Sequence, residues 1–326
     1  MENEKLINRV LHGDCLTEWL PKVESGTIDL VVTDPPYNIG IDSWDKIDGY
    51  LEWMGKIFKE IERVLKPNGS FYWFHNDFEK IVDLQNWIKK NTDFKFKQLI
   101  VWDKYNGSEW NQLNAVVHSN KNRNYSKQAE YCLFYTFQGE VNARTVKDEY
   151  VSKNNPFKKE LHRARKLKGL TITQVAEMGK FYGKVNHGGK VTNWEKGYNI
   201  PTYEQWEKLK TYLPINKEYD VLKKEYKKLK YTFNNRGLSS IWQHEPVSIK
   251  GHSTPKPVKI LENIILHSSN EGDTVLDCFG GSGSTAIACL NTNRNYILMD
   301  KELKYCDLTN KRIRQTIKRD IGVCIR

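Results

Sequence analysis

A short apolar, β-branched run, Ile28-Asp29-Leu30-Val31-Val32, leads into Thr33-Asp34-Pro35-Pro36-Tyr37-Asn38. The run reads as a buried strand. Two consecutive prolines cannot donate to a ladder and fix φ, so the chain must leave the sheet there. Each residue before a proline is pushed to extended geometry. The outcome is a stiff loop at the carboxyl end of a strand, which is the edge where open α/β sheets bind ligands. The loop offers the Asp34 carboxylate, backbone carbonyls and the Tyr37 ring. A carboxylate beside a carbonyl suits a planar NH2 group, and a ring suits a flat partner. The plain alternative is a strand-to-loop turn with a surface tyrosine, and four residues alone cannot separate the two.

A second strand–turn–helix stretch narrows the choice. Thr274-Val-Leu276 reads as a strand, followed by Asp277-Cys278-Phe279-Gly280-Gly281-Ser282-Gly283 and a helical run from Ser284. Glycines let backbone approach a ligand closely, and a helix N-terminus favours negative charge. About 20 residues on, Tyr296-Ile-Leu-Met299 reads as a strand ending in Asp300, an acid placed to accept a ribose hydroxyl. The turn has neither Walker spacing nor the strict dinucleotide fingerprint. A nucleoside with a small charged tail fits it better.

Between these stretches strands and helices alternate. A helix is expected over 50–65, stopped by Lys66-Pro67-Asn68-Gly69, then a strand at 70–74 and a helix at 80–90. Strands are expected at 98–102 and 131–135, and a helix closing at Leu266. The pattern predicts a doubly wound α/β sheet. Lys104 to Gln128 is long for a loop and rich in Asn, Lys and Tyr, as a mobile or a ligand-facing segment would be. Near the start, Gly13-Asp14 follows a short apolar run. Asp14 there is either a ligand acceptor or a helix N-cap.

Residues 151–239 differ in character. They hold 20 Lys and Arg against 8 Asp and Glu, a net of +12 in a chain of net +11, so the rest is near neutral. A basic insert on a neutral body suits a polyanion, although a solvated lysine-rich face would look alike. Leu161 to Gly169 reads as a basic helix, Thr171 caps a second, and Val191-Thr-Asn-Trp-Glu-Lys-Gly197 follows a Gly-rich basic loop. The pattern resembles the helix-turn-helix of Cro-like phage repressors, with a longer loop before the third helix. Trp194 is expected in the core. Arg163, Arg165, Lys184, Lys190, Thr192 and Asn193 are the expected DNA contacts. We expect a body over 1–150 and 240–326 and a smaller, mainly helical domain over 151–239.

Six cysteines (Cys15, Cys132, Cys278, Cys289, Cys306, Cys324) form no Cys-x-x-Cys pair, and the histidines lack zinc spacing. They read as reduced thiols of a cytoplasmic protein, with no metal and no membrane span expected. The N-terminus lacks the apolar core of a signal peptide.

Taken together the chain resembles the amino-group DNA methyltransferases that use S-adenosylmethionine, in the β-class order in which the catalytic loop precedes the cofactor turn. The resemblance implies a Rossmann-like fold and a catalytic loop of Asp34, Pro35, Pro36 and Tyr37. It implies cofactor contacts from Asp14 and Cys15, Asp34, Lys256, Asp277, Cys278, Phe279, Gly281, Ser282, Gly283, Ser284, Thr285 and Asp300. Relatives often have proline at the position of Cys278, a harmless exchange if only the backbone is used. The implied partner is double-stranded DNA, read in part by the basic insert. Relatives are often homodimers, and some work beside a cognate restriction endonuclease. Asp rather than Ser before Pro-Pro-Tyr points within the family to adenine N6 over cytosine N4. A DNA-binding regulator that has lost activity, and a methyltransferase acting on RNA or a protein amide, are the competing readings.

Overall fold

The computed structural model describes residues 3–40, 45–104, 129–138, 149–181, 189–230, 232–234 and 237–323. The chain divides into two compact units, 1–137 with 232–326, and 138–231. The first unit holds an eight-stranded sheet of β1 (Arg9–His12), β2 (Ile28–Thr33), β3 (Leu65–His75), β4 (Lys95–Asp103), β5 (Ala129–Thr136), β6 (Ile241–Gln243), β7 (Thr274–Asp277) and β8 (Asn295–Asp300). The spatial order is β1-β8-β7-β2-β3-β5-β4-β6. All neighbours are parallel except that β5 runs antiparallel to both β3 and β4.

The sheet is covered on both faces, as alternation along β3 makes visible. Phe71 and Trp73 meet Phe58 of the helix Tyr50–Val64, with ring centroids 5.8 and 5.6 Å apart. Tyr72 points the other way, stacks on Phe134 at 4.3 Å and meets Ser268 Oγ of the helix Val258–Ser268 at 2.7 Å. Successive side chains on opposite faces are what strand geometry requires. A sheet buried on both sides explains why its strands read as continuous apolar runs.

Several boundaries differ from expectation. The helix over 50–64 ends where foreseen, but Lys66 to Gly69 belongs to β3, which starts at Leu65. The register between β2 and β3 shifts there, so the proline sits at an irregularity of the ladder. A Cβ on Gly69 would stand 2.9 Å from the Asp29 carbonyl oxygen. Asp29 also accepts from Lys66 Nζ at 2.6 Å and from Thr274 N at 3.0 Å, which joins β2, β3 and β7 at their amino ends. Strand β6 was not foreseen; its three residues are too short to carry an alternating pattern. The stretch from 105 to 128 lies outside the described residues.

The second unit is helical among its described residues. Helices span Glu149–Asn154, Pro156–Leu167, Ile172–Gly179, Gly189–Glu195, Tyr203–Lys210 and Tyr219–Lys227. Thr171 and Thr202 each form a capping box, with Gln174 and Gln205 respectively. Phe157, Leu161, Val175, Trp194 and Trp206 form its buried core, so Trp194 is a core residue as expected. The connection between the helices 172–179 and 189–195, where the helix-turn-helix reading needs its turn, falls mostly on residues 182–188, outside the described residues.

Candidate active site

Strands β2 and β7 lie side by side in the middle of the sheet. From them the chain continues to β3 on one side and to β8 on the other. That is a topological switch point, where the loops leaving two adjacent strands part and open a crevice. A cavity of about 550 Å³ opens there, lined by the loop after β2, the turn after β7 and the end of β8. Its volume lies in the range of small-molecule sites.

The turn after β7 is held by its own acids. Asp277, buried at the end of β7, accepts from Thr33 Oγ1 at 3.1 Å, Phe279 N at 3.1 Å and Thr285 Oγ1 at 2.6 Å. It ties the end of β2, the turn and the helix Ser284–Asn291 together. Burial pushes its carboxyl up to about 6, against those three hydrogen bonds. Asp300 accepts from Gly281 N at 2.7 Å and from Glu302 N at 2.8 Å, one on each oxygen. Each oxygen retains a lone pair for a ligand hydroxyl. Burial raises this carboxyl too. Gly283 has φ +77°, and a Cβ there would stand 2.5 Å from Thr309 Cγ2, so the turn admits only glycine at that point.

The loop after β2 is fixed by residues outside the motif. Asn38, itself at φ +54°, exchanges hydrogen bonds with Ile47 through Oδ1 (2.8 Å) and Nδ2 (3.2 Å). Buried Asp45 accepts from Asn38 N at 2.6 Å and Ile39 N at 2.9 Å. His75, at the end of β3, packs its ring on Tyr37 with centroids 4.6 Å apart. Burial pulls its imidazole down to about 4, so it is neutral at ordinary pH. Its Nδ1 accepts from Asp77 N at 3.0 Å, which assigns the proton to Nε2. Nε2 then donates to Tyr50 Oη at 3.2 Å, and Tyr50 donates to the Pro36 carbonyl at 2.7 Å. The relay sets both the ring beneath Tyr37 and the path of the double proline.

Asp34 and Tyr37 meet a cluster of opposite charges. The Tyr37 hydroxyl donates to Asp34 Oδ1 at 2.6 Å. Lys256 Nζ bonds Asp34 Oδ2 closely and lies 3.1 Å from Glu130 Oε2. Lys104 Nζ bonds Glu130 Oε1. The Lys256 and Glu130 side chains are each only 7% exposed. Burial raises the Asp34 carboxyl, with Lys256 opposing. Glu130 suffers burial as well, yet Lys256 and Lys104 together hold it down at about 2. Lys256 is raised, because its two carboxylates outweigh its own burial. Glu130 is therefore a carboxylate and Lys256 an ammonium throughout the neutral range.

All of the expected catalytic residues line the cavity, as do Asp14, Cys15, Lys256, Asp277, Cys278, Phe279, Gly281, Ser282, Ser284, Thr285 and Asp300. Gly283 shapes the turn from behind. Asp14 serves as an N-cap, its Oδ1 accepting from Leu16 N at 2.9 Å and Thr17 N at 2.8 Å. Lys256, expected at the cofactor, lines the cavity and directs its ammonium to Asp34 and Glu130. Asp45, His75, Tyr50 and Glu130 were not foreseen. Glu130 had one signal, an acid at the start of the otherwise apolar Tyr131-Cys-Leu-Phe-Tyr135.

The expected DNA contacts fare unevenly. Lys190 and Asn193 are exposed on the helix 189–195 and Thr192 is half-buried. Lys184 lies outside the described residues. Arg165 departs from expectation: its side chain is 10% exposed, it pairs with Glu195 through Nε at 2.6 Å and Nη2 at 3.1 Å, and it donates to the Leu170 carbonyl at 2.7 Å. Its charge is committed to the interior of the helical unit. Arg163 is more exposed and forks onto Glu160 at 3.0 and 2.5 Å.

A doubly wound sheet with its cavity at the switch point, a glycine turn after one central strand and an acid ending the next is the Rossmann-like methyltransferase arrangement. The family model for DNA methylases of the N6/N4 methyltransferase type matches residues 28–311, and the chain belongs to that family. The type II methyltransferase M1.MboII of Moraxella bovis is 27% identical over 317 residues, 93% of this chain and 95% of that protein. The DNA adenine methyltransferase YhdJ of Escherichia coli K12 is 25% identical over 321 residues, 93% of this chain and 82% of that protein. In fold the chain is similar to the crystal structure of the M1.HpyAVI–SAM complex, with a TM-score of 0.50 at 19% identity, over 94% of this chain and 98% of that one.

Among the described residues there is no group of three or more His, Cys, Asp or Glu that could hold a metal ion. None of their helices is long and apolar enough to cross a membrane. Cys15, Cys132, Cys278, Cys289 and Cys306 are free thiols, all buried.

Proposed function

We propose that the chain moves the methyl group of S-adenosylmethionine to the exocyclic N6 amine of an adenine flipped out of duplex DNA. The observation that carries this reading is that one cavity joins two chemistries. One wall has the backbone turn and acid suited to a nucleoside with a charged tail. The other has the carboxylate and ring suited to a planar amine. The donor set fits the cofactor: Asp300 for the ribose hydroxyls, the 278–281 backbone and Ser282 for the amino-acid part, and Asp14 and Cys15 beside the adenine. When bound, the cofactor supplies an electrophilic methyl on a positively charged sulfur.

The chain's own residues do the rest. A base inside a duplex cannot reach a cavity at a sheet edge, so it must leave the stack. Tyr37, held from behind by His75, gives the base a face to lie against. Asp34 and the Pro35 carbonyl accept the two amine hydrogens. Those bonds return electron density to a nitrogen whose lone pair is otherwise drawn into the ring. They also stabilise the positive charge that grows on the nitrogen as it is alkylated. Of the two acceptors Asp34 is the carboxyl group, and so the more basic partner for the proton that leaves with or after transfer. The basic helical unit, with Lys190, Thr192 and Asn193, is the surface offered to duplex DNA in a helix-turn-helix manner.

Asp rather than Ser in the loop, and the adenine enzyme among the relatives, support adenine. The same wall would accept a cytosine N4 amine, and the family includes both chemistries. Mass spectrometry of nucleosides from unmethylated plasmid, incubated with protein and S-adenosylmethionine, tests the reading. N6-methyladenine is the expected product. N4-methylcytosine would move the target base and keep the mechanism. Bound cofactor without any methylated base would overturn the proposal.

A further inference from the structure

Both oxygens of Asp34 are occupied by groups of this chain, Oδ1 by the Tyr37 hydroxyl and Oδ2 by Lys256. An amine arriving at Asp34 must compete with a phenol and an ammonium. Glu130 Oε2 stands 3.2 Å from Tyr37 Oη and 3.1 Å from Lys256 Nζ, so a single atom lies within reach of both donors. The other oxygen, Oε1, is taken by Lys104, which fixes the carboxylate in place. We infer that Glu130 is a positioning residue for methyl transfer, an exchange acceptor that takes the Tyr37 hydroxyl and Lys256 off Asp34 as the target amine arrives. The inference rests on the reading that Asp34 accepts that amine.

The exchange moves hydrogen bonds and no covalent bonds. Tyr37 turns its O–H from Asp34 to Glu130, and Lys256 shifts its ammonium by the same step. Net charge in the cluster is unchanged, because one carboxylate replaces another as the partner. A buried ammonium with no second carboxylate nearby would stay on Asp34, since leaving it would strand the charge. The strand arrangement makes this possible. β5 is antiparallel to its neighbours, so its first residues, and not its last, lie at the ligand edge, and Glu130 is the second of them.

Glu130→Gln keeps the shape and removes the charge that attracts Lys256. In a single-turnover assay at saturating cofactor and duplex, its transfer rate is expected to fall tenfold or more. The cofactor Kd and the concentration of duplex giving half-maximal rate are expected to stay within threefold of the parent. Glu130→Asp, which keeps the charge, is expected to recover at least part of that loss. A Glu130→Gln rate within twofold of the parent, or a loss entirely due to weaker cofactor binding, overturns the inference. If the parent itself labels no duplex, the reading of Asp34 fails and the inference with it. If Glu130→Gln does not fold, the parent decides the matter in a crystal with duplex and S-adenosylhomocysteine. Lys256 Nζ nearer to Glu130 than to Asp34 supports the exchange, and Lys256 still on Asp34 Oδ2 overturns it.

Discussion

Arg165 separates a structural reading of the helical unit from an electrostatic one. In the structure its guanidinium joins the helix 156–167 to Glu195 at the end of the helix 189–195, and the Glu195 side chain is 6% exposed. Arg165→Met keeps most of the stem and removes the charge. Breaking a buried pair from one side costs about 3–5 kcal/mol, mostly for the carboxylate left behind. His162 Nδ1 remains 3.0 Å from Glu195, which argues for the low end, about 3 kcal/mol. That equals roughly two decades in a local opening equilibrium. Hydrogen–deuterium exchange of the full chain should show amide protection in the helices 156–167 and 189–195 falling by about a hundredfold. Burial works to raise the Glu195 carboxyl, but its hydrogen bonds from Arg165 and His162 prevail and lower it. A lowered acid stabilises the fold above its unfolded value, near 4.3, and loses that contribution as pH falls through its folded value. The gap between parent and variant should therefore narrow below about pH 4. A phosphate contact would behave otherwise. Protection would be unchanged, and the slope of log K against log salt for duplex binding would become shallower by about one. That pair of results would refute the buried-strut reading.

Asp34→Ala should lower single-turnover methyl transfer by at least about a hundredfold, with cofactor affinity by calorimetry kept within a few-fold, as for loss of one transition-state hydrogen-bond partner. Gly283→Ala forces an L-residue to φ +77° against Thr309, a cost of at least about 1–2 kcal/mol, so cofactor affinity should weaken tenfold or more in the same calorimeter. Asp277 is raised to about 6, so its folded form favours the proton. Its contribution is full below about pH 4 and is lost as pH rises through about 6. Asp277→Asn should then gain on the parent by about 2 kcal/mol between pH 4 and pH 7 in urea unfolding, and a constant difference would contradict the assignment.

Much of the sheet and of the cavity was legible because the relevant signals are local. A double proline after an apolar run, and glycines between a strand and a helix, each dictate backbone geometry within a few residues. What sequence could not supply depends on distant partners. Glu130 reaches the cavity only because β5 is reversed, and no local pattern says which way a buried strand runs. His75 and Tyr50 are placed by packing across the sheet. Arg165 looks identical to a phosphate-binding arginine until Glu195, thirty residues on, is seen opposite it. Lys256 is singled out by the family resemblance, yet its partners, Asp34 and Glu130, are 222 and 126 positions away.

The placement of β1 has a consequence for how the chain assembles. Among the described strands it pairs with β8 alone, and Asn8 and Asn295 are joined by a side-chain hydrogen bond across 287 positions. Strand β1 therefore waits for β8, nearly three hundred positions later, before it has a neighbour among the described strands. β2 likewise waits for β7, although β3 can pair with it early. Contacts of such long range are slow to form, because their loop-closure entropy is lost before they give anything back. The half of the sheet from β2 through β5 can collapse while synthesis continues, and the half that bears the glycine turn cannot. Competence to bind a cofactor would then be acquired in one late step. A nascent chain arrested before Thr274, where β7 begins, would hold its proline loop in place with no glycine turn opposite it.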